Sequence, residues 1–272
     1  MSEGQFPYLH GFSPVEQARL KKQAEFLEQT IYENVDFSRT KKVLEVGCGV
    51  GAQSEILLRR HPNINLTGID LSDDQLKVAK ESIEKLSFAK DRYEALKANA
   101  EDLPFESGDY DGSFLCWVLE HVPSPATVLS EVRRVLRPGG KIVVTEVMNS
   151  SFFLEPYSPN VWKYWVAFND HQYEIGGDPF IGAKLGNLLL TAGFKDIDTN
   201  LKVFHFDNRQ PDRRKEMIDF WSELLLSGAD ELVQANKVDE KMVEEVKKEL
   251  KNVSRDPNAV FHYTAMQASA TK

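Results

Sequence analysis

Two carboxylates stand where apolar runs give way to polar turns. Glu45 lies inside VLEVGCGVG, Val43 to Gly51, an apolar stretch that ends in closely spaced glycines. Glycine lacks a Cβ and adopts positive φ freely, so such a turn lets backbone approach a nucleotide-like ligand. Gly47, Gly49 and Ala52 satisfy the GxGxxG/A spacing of dinucleotide sites. The next apolar run closes in GIDLS, which places Asp70 at its end. A carboxylate there offers two oxygens to the two hydroxyls of an adenosine ribose. NAD and S-adenosylmethionine share that ribose, so Asp70 fixes an adenosine without choosing between them. Glu45 favours the second ligand: a pyrophosphate gains nothing from a nearby carboxylate, whereas an ammonium and a sulfonium do.

The elements that position these groups alternate. Strands are expected at Lys42 to Val46, Ile64 to Ile69, Tyr93 to Ala98, Asp111 to Cys116 and Lys141 to Val147, with helices near Gln53 to Arg60, Ser72 to Leu86 and Ala126 to Leu136. Repeated βα units of this length imply a parallel sheet with right-handed crossovers and helices on both faces. Ser13, Pro14 and Glu16 read as the capped start of an earlier helix running to about Tyr32. Beyond Asn149 the pattern changes: Ser150 to Phe180 holds nine aromatic residues, several prolines and a Gly-Gly pair. A helix at Ile181 to Ala192, a strand at Ile197 to Phe206, a charged helical region from Pro211 to Asn252 and a last strand at Ala259 to Ala268 follow. The chain divides on this reading into an N-terminal helical lid (1–40), a cofactor-binding core (41–149), a substrate-cap insertion (150–180) and a completion of the core sheet with C-terminal helices (181–272).

The 272 residues carry a net charge of −9, a field that repels phosphate backbones, so no nucleic-acid partner is expected. No apolar run approaches the ~18 residues of a membrane span, and the opening MSEGQFPYLHGF lacks the features of a signal peptide; a cytoplasmic location is expected. Cys48 and Cys116 show no metal-ligand spacing, and no metal site is expected.

EVGCGVG, GIDLS, NAEDLPF, YDGSFLCWVLEHV and LRPGGK, in this order between Lys41 and Val147, resemble the class I S-adenosylmethionine-dependent methyltransferases, especially the small-molecule branch that includes ubiquinone and menaquinone methyltransferases. The resemblance implies a Rossmann-like α/β fold whose seven-stranded, mostly parallel sheet has an antiparallel last strand beside the fifth. It implies that Gly47 and Gly49 meet the methionine portion of the cofactor and that Glu45 contacts its amino group directly or through water. Asp70 would hold the ribose, with Leu71 packing on the adenine; Asn99 and Ala100 would meet the adenine edge, and Cys116 would lie beside the methionine part. Ubiquinone-pathway O-methyltransferases resemble the chain around Glu120 and His121, but several carry a metal-binding carboxylate three residues before that pair, where this chain has Trp117.

The sulfonium makes its own methyl electrophilic, so the expected function is direct in-line transfer to a small, partly apolar acceptor, the aromatic insertion supplying an apolar wall. A general base helps only an acceptor that must lose a proton. Candidates are His121, His171 and Tyr173, with His10 also in a segment able to fold over the pocket; helix-start capping competes for His121. Two other classes fit parts of the sequence: an NAD-dependent oxidoreductase, on the glycine pattern and Asp70, and a non-catalytic cofactor-binding module that docks through the charged helical region. Oligomeric state and the methylated atom (O, N or C) are open at this level.

Overall fold

The computed structural model describes residues 13–272. In chain order these form α1 (Pro14–Tyr32), β1 (Lys42–Val46), α2 (Ala52–Arg60), β2 (Asn65–Asp70), α3 (Asp73–Ile83), β3 (Tyr93–Lys97), β4 (Tyr110–Cys116), α4 (Pro125–Val135), β5 (Leu136–Val147), β6 (Phe153–Glu155), α5 (Pro159–Glu174), α6 (Leu185–Thr191), β7 (Lys195–Phe206), α7 (Pro211–Ser227), α8 (Ala229–Gln234), α9 (Glu240–Arg255) and β8 (Val260–Thr271). The strands make one sheet in the order β3-β2-β1-β4-β5-β8-β6, with β7 also on β8. Pairing is parallel from β3 to β5, and β8 joins β5 antiparallel, from Lys141 opposite Thr271 to Val147 opposite Ala265. The sheet has eight strands where seven are expected, because the three-residue β6 pairs with the start of β8.

The chain separates into two compact units. The core unit comprises Leu20–Val147, Phe180–Lys202 and Ala265–Lys272; the second comprises residues 13–19, Met148–Pro179 and Val203–Thr264. The expected insertion at 150–180 is therefore only part of the second body. Helices α7 to α9, assigned from sequence to the core, belong to it, because α9 shares its packing with α5 and α7. Of the expected lid, 20–40 lies in the core unit, and Tyr8 and His10 lie outside the described residues.

In the core unit, apolar side chains of β1, β4 and β5, among them Leu44, Val46, Leu115, Ile142 and Val144, pack with Val128, Leu129, Val132 and Val135 of α4 in one buried cluster. The helical spacing of the α4 residues puts them on a single face. Near the start of β1, Lys41 and Lys42 donate their backbone N–H groups to Asp111 at 2.9 and 3.0 Å, locking β1 to β4. The rigid sheet delivers every strand's carboxyl end to one edge, the edge at which open α/β sheets bind ligands.

The second unit is an aromatic body. Phe152 lies 5.1 Å from Trp165 and 5.3 Å from Trp221, and Trp221 in turn packs on Phe261 and Tyr263, centroid to centroid. Asn149 is buried at its centre: it donates to Asn169, accepts from Tyr263 at 2.8 Å and takes the Trp165 indole N–H on its carbonyl at 3.2 Å. Many of the rings in 150–180 are thus interior packing. Tyr157, 70% exposed, and Tyr173, 63% exposed, lie outside it.

Candidate functional site

The glycine turn follows β1 directly. Gly47, Gly49 and Gly51 all take positive φ, at 69°, 50° and 77°. A Cβ on Gly47 would stand 2.6 Å from Val118 Cγ2, so only glycine lets the segment after β4 close onto the turn; a Cβ on Gly49 would meet no atom within 4 Å, leaving open space in front of the backbone. Gly51 caps α2 without a side-chain hydrogen bond, so the first N–H groups of that helix keep their capacity for an anionic group.

Asp70 staples this turn to the next one. Its Oδ2 accepts from Gly49 N and its Oδ1 from Ser72 N, each at 2.9 Å, while each oxygen retains a lone pair for a ligand hydroxyl. Burial raises its pKa, opposed by those backbone donors. Ser72 caps α3 by accepting from Gln75 N. Glu45 lies behind the turn, 2% exposed, and accepts from Ser54 Oγ at 2.5 Å. Burial pushes its carboxyl up to about 8, with Asp70 adding to the rise and Ser54 opposing it. Among the described residues neither Glu45 nor Asp70 pairs with a lysine, arginine or histidine. A buried Glu45 and a half-buried Asp70, neither paired with a protein cation among the described residues, suit a ligand that brings positive charge, which would favour their ionised forms.

The remaining loops arrive at the same edge. Ala98 N donates to Asp70 O at 3.1 Å, which brings Asn99 and Ala100 to the second turn. Asn99 closes the following turn by accepting from Glu101 N, and Leu103 and Phe105 are held by Glu131 and Arg134 of α4. Leu71 is 49% exposed, an apolar surface beside Asp70 with no role in the core. Cys116, buried at the end of β4, has its thiol raised first by burial and then by Glu146, Glu45 and Glu120. The structure thus gathers Glu45, Gly47, Gly49, Asp70, Leu71, Asn99, Ala100 and Cys116 onto the carboxyl edge of one sheet.

His121 joins them, its Nε2 3.6 Å from Glu120 Oε1. His171 and Tyr173 lie on α5 of the second unit, where His171 is 5% exposed with Nε2 3.4 Å from Glu231 and neither ring nitrogen in a hydrogen bond among the described residues.

Sequence reasoning missed Glu146. It is fully buried on β5 and accepts backbone N–H groups from Val118, Leu119 and Glu120 at 3.0, 2.7 and 3.4 Å, shaping the segment after β4. Burial raises its pKa, and the neighbouring Glu120 raises it further. The available signal is the one that exposes Glu45: a single carboxylate in an apolar strand, VVTEV, near the carboxyl end. Gln75 was also missed; it is 3% exposed, with its Oε1 lacking a partner among the described residues.

A protein-family comparison matches residues 44–144 to a methyltransferase domain. O-methyltransferase rstn1 of Aspergillus nomiae is 31% identical over 185 residues, covering 68% of this chain and 78% of that protein. The chain belongs to the class I S-adenosylmethionine-dependent methyltransferases. A ubiquinone biosynthesis O-methyltransferase of Idiomarina loihiensis is 30% identical to this methyltransferase over 209 residues, 75% of the chain and 77% of the relative. Several other relatives are matched over about half of their length. Among solved structures, a phosphoethanolamine N-methyltransferase of Haemonchus contortus holding S-adenosylhomocysteine aligns with 95% of the chain and 57% of its own, at 18% identity and a TM-score of 0.58; this likeness shows the fold. Membership in the methyltransferase family decides against the NAD reading. No helix among the described residues is long and apolar enough to cross a membrane.

Proposed function

We propose that this methyltransferase transfers a methyl group from S-adenosylmethionine to a small, partly apolar molecule by direct in-line displacement. The observation that carries the proposal is the pair of carboxylates, a buried Glu45 and a half-buried Asp70, bonded to the elements around a glycine turn with open space before it and, among the described residues, no protein cation paired with them. Glu45 would hold the cofactor's amino group and Asp70 its ribose, while the uncapped start of α2 suits its carboxylate and Leu71 with Asn99 and Ala100 flanks the adenine. When bound, the cofactor supplies an electrophilic methyl on a cationic sulfur.

The residues around this group have three tasks. Gly47 and Gly49 would let the backbone close in, Glu45 and Cys116 would back the site with buried side chains, and the segment fixed by Glu146 would present Glu120 and His121 to the incoming acceptor. Where that acceptor carries a proton, the Glu120–His121 pair is positioned to take it. The small-molecule reading draws support from relatives named for O-methylation and ubiquinone biosynthesis, and from a net charge of −9 that disfavours nucleic acid.

Incubation with methyl-labelled cofactor and a fractionated metabolite pool, followed by mass analysis, tests the proposal. A labelled product below about a kilodalton in an apolar fraction is expected. Label found only on peptide or RNA, or on nothing, would defeat it.

A further inference from the structure

Trp117, the first residue after β4, combines three features. Its φ is +61°, a left-handed conformation that a bulky side chain adopts only under constraint. The constraint is visible: its own N–H donates to Thr145 O at 3.0 Å, and the next three N–H groups converge on the Glu146 carboxylate. Val118, its neighbour, is fitted against Gly47 of the cofactor turn. Yet the indole Nε1, buried, has no hydrogen-bond acceptor among the described residues. A buried donor left unpaired is costly, and here that cost accompanies a strained backbone held from two sides. Such a placement makes sense when a ligand brings the missing acceptor.

Resting on the reading of this edge as a methyl-transfer site, we propose that the Trp117 indole N–H is the specificity-determining contact for the methyl acceptor, which it binds through an oxygen lone pair of a hydroxyl group, phenolic or enolic. Indole is a donor only, so it discriminates against an ammonium, which has no lone pair to offer. Glu120, three residues on, supplies the complementary partner, its carboxylate 3.6 Å from His121 Nε2. A hydroxyl is the simplest group able to accept from Trp117 and donate to Glu120 at once. In the transfer, the hydroxyl proton passes to the Glu120 carboxylate and an oxygen lone pair forms the new O–CH3 bond. The S–CH3 bond breaks with its electron pair kept by sulfur, leaving a neutral thioether.

The test uses the four indole N–H signals of the protein labelled with nitrogen-15 at tryptophan, with Trp117→Phe identifying the relevant one. Should that variant fail to fold, Trp162→Phe, Trp165→Phe and Trp221→Phe assign the signal by elimination. S-adenosylhomocysteine is added to saturation, then phenol, benzylammonium or toluene as separate probes. The expected result is a downfield shift of the Trp117 signal with phenol alone, and a loss of about tenfold in phenol affinity in Trp117→Phe at unchanged S-adenosylhomocysteine affinity. A signal unmoved by phenol, one moved equally by benzylammonium, or one already moved by S-adenosylhomocysteine would overturn the assignment. Failure of S-adenosylhomocysteine to bind at all would instead remove the methyl-transfer reading beneath it.

Discussion

Glu45 carries the clearest energetic signature of any single residue. Its folded carboxyl keeps a proton up to about pH 8, whereas the unfolded chain loses it near the ordinary value of 4.5. Folding therefore binds a proton between these limits, and stability falls as pH rises through that window. Burial moves Asp70 and Glu146 in the same direction. Calorimetric melting of the ligand-free protein should accordingly show a lower Tm at about pH 8 than at about pH 5.5, and Glu45→Gln should flatten part of that slope; an unchanged slope would place the burden elsewhere. Titration with S-adenosylhomocysteine should show the same variant binding about 10- to 100-fold more weakly, through loss of a charge-assisted contact. His171 offers a contrasting case, a packed ring on α5 with Nε2 3.4 Å from Glu231 and no hydrogen bond among the described residues. His171→Leu should leave methyl transfer within about twofold of the unsubstituted enzyme, and a collapse in turnover with the fold intact would restore it as a base.

Among the elements, the segment joining β4 to α4 does the most for the site. Removing the Glu146 carboxylate in Glu146→Ala strands three backbone N–H groups, and a destabilisation of about 2–4 kcal/mol by denaturant unfolding is expected; Glu146→Gln, which keeps one acceptor oxygen, should lose less. The strands β1 to β4 and the helices between them were legible in the sequence to within about three residues, because each apolar run is bounded by turn residues and each helix has a one-sided face, whereas β5 begins at Leu136 instead of the expected Lys141. Helix α5 was not. Its buried positions, Val161, Tyr164, Trp165, Phe168, Asn169, His171 and Gln172, follow helical spacing after a Ser-Pro start, but three polar members interrupt the apolar stripe and the aromatic richness reads as pocket lining. The glycine turn and the Glu45 and Asp70 carboxylates were readable because such residues in or at the end of apolar strands violate local preference. Glu146 carried the same signal in VVTEV and was overlooked, while the left-handed backbone of Trp117 was not readable, since it comes from contacts between strands.

At the scale of the molecule, charge and threading matter more than any contact. A net charge of −9 predicts no retention on single-stranded RNA at about 0.15 M salt in a mobility-shift assay, and tight retention would reopen the substrate class. The second unit, built from stretches on either side of core segments, could not be inferred from composition, because its boundaries follow packing among α5, α7 and α9. The position of β8 against β5 has a consequence for biosynthesis. On the ribosome, β5 emerges roughly a hundred residues before its partner, which at about 5–20 residues per second leaves an unpaired strand edge waiting for several seconds or more. Until the closing strand arrives, the nascent chain carries a sticky flank, and chaperone demand during translation should peak over that interval.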